Sequence, residues 1–348
     1  HTHTHTHART RTPTPTRECH TMRATTRAAH HLAGGGAPKT QNSFPLTHLL
    51  EGNSFIRSGS MVEPSVSVNR GSGAWFFRSK HVVAQNNVAA FSRGHNDSAG
   101  IHVDYNNENI LVQYNFTYDN EGYGTEILGS NKNIIWRYNL SVGDGTRKVN
   151  VARPEGGQSQ HPGRTLHISD FAKPNRAPSS DLFIYNNTYL ISSGSSPNIN
   201  LTAGNLLLKN NLFIVEDRAK LGQRVNIDKS WSSDFNVANN GFSGNVSSSL
   251  TKIDFSPIFL KLSIEGKISN ADSFAFDYKN VKLTTIGQAI DHPDFPAAGS
   301  GIFTHISREP TTDFFGNLIS KEHSFIGAGV AAESMHEPAR FDLSTSES

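Results

Sequence analysis

The chain has 348 residues, 18% of them charged, a formal net charge of +2 and one cysteine, Cys19. One cysteine excludes an intrachain disulfide, and no apolar run reaches the roughly 18 residues that a spanning helix needs. Residues 1–40 hold six Lys/Arg and one acid, which leaves 26 basic and 29 acidic residues for the rest. A near-neutral body carries no nucleic-acid signature, and the low charge with abundant Asn, Ser, Gly and Thr suits a turn-rich all-β protein.

Residues 1–40 open on His-Thr-His-Thr-His-Thr-His and run through Arg/Thr/Pro repeats to Gly34-Gly35-Gly36. Such low-complexity sequence cannot bury a core, so a disordered tail is expected, with a metal-binding or anchoring role as the alternative. Met22 to Ala37 lacks the continuous apolar core of a secretory signal.

From 41 to 245 a seven-residue pattern recurs. It reads Asn109-Ile-Leu-Val-Gln-Tyr-Asn115, Asn133-Ile-Ile-Trp-Arg-Tyr-Asn139, Asp181-Leu-Phe-Ile-Tyr-Asn-Asn187 and Asn205-Leu-Leu-Leu-Lys-Asn-Asn211, at steps of 24, 48 and 24 residues. A short apolar run with a turn residue at each end is too brief for a helical repeat. It predicts one rung of a parallel β-helix, buried only against the rungs on either side. Degenerate copies end at Asn53 and Asn87, and a last copy ends at Asn240. The closing Asn of each copy predicts an amide ladder at one corner, with left-handed backbone angles at those residues. Ile110, Ile134, Leu182 and Leu206 should form one apolar column, and Val112, Trp136, Ile184 and Leu208 another. Leu111, Ile135, Phe183 and Leu207 alternate to the opposite face.

The double step is read as an insertion at 143–180, rich in Gly, Pro and charge, with one strand-like run, Thr165-Leu-His-Ile-Ser169. Residues 246–335 lose the period and are expected as a β/loop segment capping the solenoid, with a tail at 336–348.

These residues resemble the secreted right-handed parallel β-helix proteins of the pectate-lyase-like superfamily. Gln113-Tyr-Asn115 followed by Asp119-Asn-Glu-Gly122, and Asp313-Phe-Phe-Gly with Phe325-Ile-Gly-Ala, are similar to the rungs and C-terminal signature of a bacterial, polysaccharide-acting group within it. The resemblance implies a secreted protein with a polysaccharide as partner, and neither nucleic acid nor membrane. A monomer is expected. The residue sets of polygalacturonases and of pectate lyases themselves are not matched.

Strand alternation puts His102 and Asp104 on one face and Ile101 and Val103 on the other. Glu126 falls beside His102 one rung on, Asn198 lies further along that column, and His167 comes from the intervening rung. Asp104 and Glu126 should stand roughly 8 Å apart, within the range of about 6.5–9.5 Å that suits inverting glycoside hydrolysis. Asp104, Glu126, His102 and His167 are therefore the expected catalytic set. Asp97, Asp119 and Glu121 in adjoining turns could bind sugar hydroxyls or Ca²⁺, although no loop has a recognisable calcium spacing and no metal ligands are assigned. Arg147 and Arg164 could hold carboxylate or sulfate groups of an anionic polysaccharide, and Tyr123 could stack on a sugar ring. That basic insertion keeps a polysaccharide lyase open, and a non-catalytic carbohydrate-binding or adhesion solenoid is the third alternative.

Overall fold

The computed structural model describes residues 48–59, 71–150, 159, 161–230, 235–238, 240–253, 255–257, 312–316, 318–319 and 326–329. The tail at 1–40, most of 246–335 and the tail at 336–348 lie outside those residues. Among the described residues every regular element is a strand. The chain is a parallel β-helix: each coil visits three parallel sheets in turn, here called A, B and C, of seven, eight and six strands. One coil runs from Glu108–Gln113 in sheet A to Phe116–Tyr118 in B and Tyr123–Ile127 in C, before Lys132–Arg137 re-enters A.

The columns read from the repeat stack in register. Ile110 pairs with Ile134, Ile134 with Leu182, and Leu182 with Leu206; Val112, Trp136, Ile184 and Leu208 do likewise. All eight are buried in one interior, shared with Ile101, Val103, Leu166, Ile199 and Leu201 of sheet C. Each such side chain contributes about 1.5–3 kcal/mol, and only neighbouring coils supply the cover. The degenerate copies are true rungs, since His48–Glu51 pairs with Lys80–Gln85, which pairs with Glu108–Gln113. Lys132–Arg137 pairs directly with Ser180–Tyr185, so the 48-residue step hides no extra strand in sheet A. The added chain brackets Arg164–Ile168, which that coil contributes to sheet C.

The expected amide ladder runs Asn53, Asn87, Asn115, Asn139, Asn187, Asn211, Asn240. Each backbone N–H and side-chain amide donates to the Oδ1 of the next, as Asn115 N and Nδ2 do to Asn139 Oδ1, both at 3.0 Å. The left-handed backbone is not at these residues, as the sequence reading had it, but at the one before. Asn86, Tyr114, Tyr138, Asn186 and Asn210 have φ between 50° and 57°. The sharp turn is made by a residue whose side chain leaves the corner, which frees the next amide to point into it. The other two corners carry shorter ladders that the period did not reveal. Asn107 donates to Asn131, whose N–H donates to Ser179 Oγ; Ser92 N donates to Asn120, whose N–H and amide donate to Asp144.

The outer faces of sheets A and B have identifiable cover. Tyr114, Tyr138 and Tyr185 pack with Leu111, Ile135 and Ile319 outside sheet A, and Tyr114 Oη donates to Thr312 O at 2.8 Å. Phe314, Phe315, Ile326 and Ala328 pack on Phe116, Leu140, Leu190, Leu212 and Ile214 of sheet B. Gly327 has φ 92°, and a Cβ there would sit 2.6 Å from Thr188 Oγ1 and 2.9 Å from Leu212 Cβ, so only glycine lets the segment lie this close. Of the segment expected to cap the helix, Leu250, Ile253 and Phe255 continue the interior and Phe255–Pro257 extends sheet B. Residues 312–329, where described, lie along the flank instead.

Candidate functional site

Sheet C presents its outer face to a groove of about 1020 Å³. Register across its six strands builds one column there: Trp75, His102, Glu126, His167, Asn200, Asn226. Alternation holds as expected, with Ile101 and Val103 turned into the core. The expected Asn198 is corrected to Asn200. A register shift between Arg164 and Leu166 aligns Asn198 with Arg164 and leaves Asn200 opposite His167.

Three side chains meet at the centre. His102 Nδ1 lies 3.5 Å from Glu126 Oε2, and His102 Nε2 lies 4.0 Å from Asp104 Oδ1. The Trp75 ring stacks on His102 at 5.2 Å between centroids and 9° between planes, and Trp75 Nε1 donates to Asp104 Oδ2 at 2.8 Å. Asp97 arrives from the turn before sheet C. One possible ligand atom from each of Asp97, His102 and Glu126 lies within 4.8 Å of the other two.

Electrostatics follow from burial. Glu126 is 1% exposed. Its carboxyl is held well above the usual range by burial, then by Asp97 and Asp104, against the opposing pull of Arg147 and Arg164. It is therefore protonated over a wider pH range than an exposed glutamate. His167 is pushed well below its usual value by burial and then by Arg164, whose Nη1 stands 3.3 and 3.4 Å from the two ring nitrogens. It is a neutral imidazole near pH 7. The Tyr123 ring lies tilted against His167 at 4.5 Å between centroids, with the guanidinium groups of Arg147 and Arg164 over it at 5.2 and 5.6 Å. Burial pushes its phenol up to about 12.

Asp104, Glu126, His102, His167, Asp97, Arg164 and Tyr123 thus line one groove. Three other residues expected to touch substrate do not line it. Asp119 pairs with Arg93 at 2.8 Å. Glu121 is buried and accepts a hydrogen bond from Gly94 N. Arg147 is buried and donates to the carbonyls of Gly94, Asn96, Asp97 and His161 at 2.6–3.2 Å, so it fastens the Asp97 turn to the insertion. The sequence reading overlooked the aromatic lip of Trp75, Phe77 and Phe171. Its only signal was Gly73-Ala-Trp75-Phe-Phe77, one coil before His102.

Fold and groove together define a parallel β-helix protein with an acid- and histidine-lined cleft on one sheet. No family model matches the chain, and no curated protein matches it.

Proposed function

We propose that this protein degrades a polysaccharide by glycoside hydrolysis in the sheet C groove. Glu126 is the proton donor to the glycosidic oxygen, and Asp104 is the base that takes a proton from the attacking water. His102 lies between them and orients both, and His167, Asp97, Arg164 and Tyr123 contact the sugars. The observation that supports this best is the juxtaposition itself. A buried carboxyl whose pKa burial raises shares an open face with a second carboxyl two positions and one rung away, beside exposed aromatic rings. A polymeric sugar substrate implies work outside the cell, so secretion belongs to the same reading.

The test is release of reducing ends from a panel of neutral and anionic polysaccharides. Glu126→Gln and Asp104→Asn should each lower the rate by about 10²–10⁴-fold, the usual worth of one acid or base. Sugar binding without turnover by the wild type on every substrate would sink hydrolysis and leave the adhesion reading. One observation favours a lyase instead: the Arg164 guanidinium sits against a neutral His167, a cation beside a proton acceptor. β-Elimination leaves an ultraviolet-absorbing unsaturated uronide, which hydrolysis does not.

A further inference from the structure

Asp97, His102 and Glu126 form a donor set that hydrolysis does not require as a set. We propose that they bind one borderline divalent cation of the zinc or cobalt class, through one imidazole nitrogen and two carboxylates. This goes beyond the hydrolase reading and does not rest on it. One ligand atom from each residue already lies within 4.8 Å of the others. His102 Nδ1 and Glu126 Oε2 are 3.5 Å apart. Two ligands at about 2.0–2.1 Å from a tetrahedral ion stand about 3.4 Å from each other, so this pair is at ligand spacing. Asp97 places a carboxylate oxygen within 4.8 Å of that pair.

A second observation points the same way. Glu126 is buried, yet its Oε2 makes no hydrogen bond. A buried carboxylate oxygen without a donor is costly unless a proton or a cation sits on it. The imidazole is also preset. Trp75 fixes its plane, and Asp104 lies on the side of its other nitrogen, where an outer carboxylate commonly orients a metal-bound histidine. Calcium and magnesium prefer all-oxygen sites, whereas an imidazole selects for the transition series. Three protein ligands leave the remaining positions open to water or a sugar hydroxyl from the groove. Glu126 Oε2 can hold a proton or the cation but not both, so a bound cation halts proton donation by Glu126.

The experiment is equilibrium dialysis of the full chain, first stripped by chelator, against Zn²⁺ and Co²⁺, with Ca²⁺ as a separate arm. Residues 1–7 carry four histidines that take up zinc themselves, so the readout is the difference between wild type and variants. Glu126→Gln and His102→Gln should each lose one equivalent, together with the visible Co²⁺ absorption of that equivalent. Asp97→Asn, in a turn rather than a strand, should weaken it at least tenfold. Near-ultraviolet circular dichroism establishes that each variant is folded. Unchanged stoichiometry and affinity in the folded variants would overturn the site. Calcium binding that His102→Gln leaves untouched would overturn the metal class. Reducing-end assays on the chelated wild type report on hydrolysis separately, so the two ideas fail independently.

Discussion

Replacing Asn139 by alanine removes the middle link of the corner ladder. Asn139 Oδ1 accepts from Asn115 N and Nδ2, and its Nδ2 donates to Val112 O, Arg137 O and Asn187 Oδ1, all at 2.9–3.0 Å. Some partners keep company. Asn115 Nδ2 still reaches Ala84 O and Gln113 O, and Asn187 Oδ1 still accepts from the residue 139 backbone. The Asn115 N–H loses its acceptor inside a buried corner, which costs about 1–3 kcal/mol, and each lost hydrogen bond adds about 0.5–1.5 kcal/mol. Counting the Asn115 N–H once and the four other bonds separately, a total of at least about 3 kcal/mol is expected. Urea unfolding followed by circular dichroism and tryptophan fluorescence measures it, with Trp136 in the adjoining strand as the local probe. Asn226→Ala serves as control, because among the described residues its amide bonds only Asn200 Oδ1, in the exposed stretch of sheet C, and should cost under about 1 kcal/mol. Equal, small losses at both positions would refute the claim that the corner amides hold the coils together.

Burial pushes the Asp144 carboxyl up to about 7, against donors from Ser141, Thr117 and Asn120. A raised carboxyl favours the folded state at low pH and loses that contribution as pH rises. Asp144 alone should therefore cost up to about 4 kcal/mol between pH 4 and 7, and Asp144→Asn should flatten that slope in melting temperature relative to wild type. Arg147→Met should release the Gly94–Asp97 carbonyls and speed amide hydrogen exchange there, destabilising by about 2–4 kcal/mol. Gly327→Ala should lift the C-terminal segment from sheet B at about 1–3 kcal/mol, seen as faster proteolysis near that residue.

The repeat carried the parallel coil, though not its division into three sheets, because the interior columns and the corner amides recur with the rung. Alternation on a strand likewise brought His102, Asp104 and Glu126 to one face. What the period could not carry was missed or misplaced. Asp97 is the exception, expected in a turn beside this face and found lining the groove with Glu126. Arg147 reads in sequence as one more basic residue of a flap, yet four backbone carbonyls claim its guanidinium. Asn198 and Asn200 differ by one register shift, which local sequence does not announce. The cover on sheets A and B comes from residues more than a hundred positions away, through contacts such as Tyr114 to Thr312.

Successive coils of 34, 28, 24, 48, 24 and 29 residues share one corner geometry. Length is therefore uncoupled from alignment: one vertex keeps time while the other two are free to grow. New loops spliced beside Arg164–Ile168 would reshape the cleft without retuning the scaffold beneath.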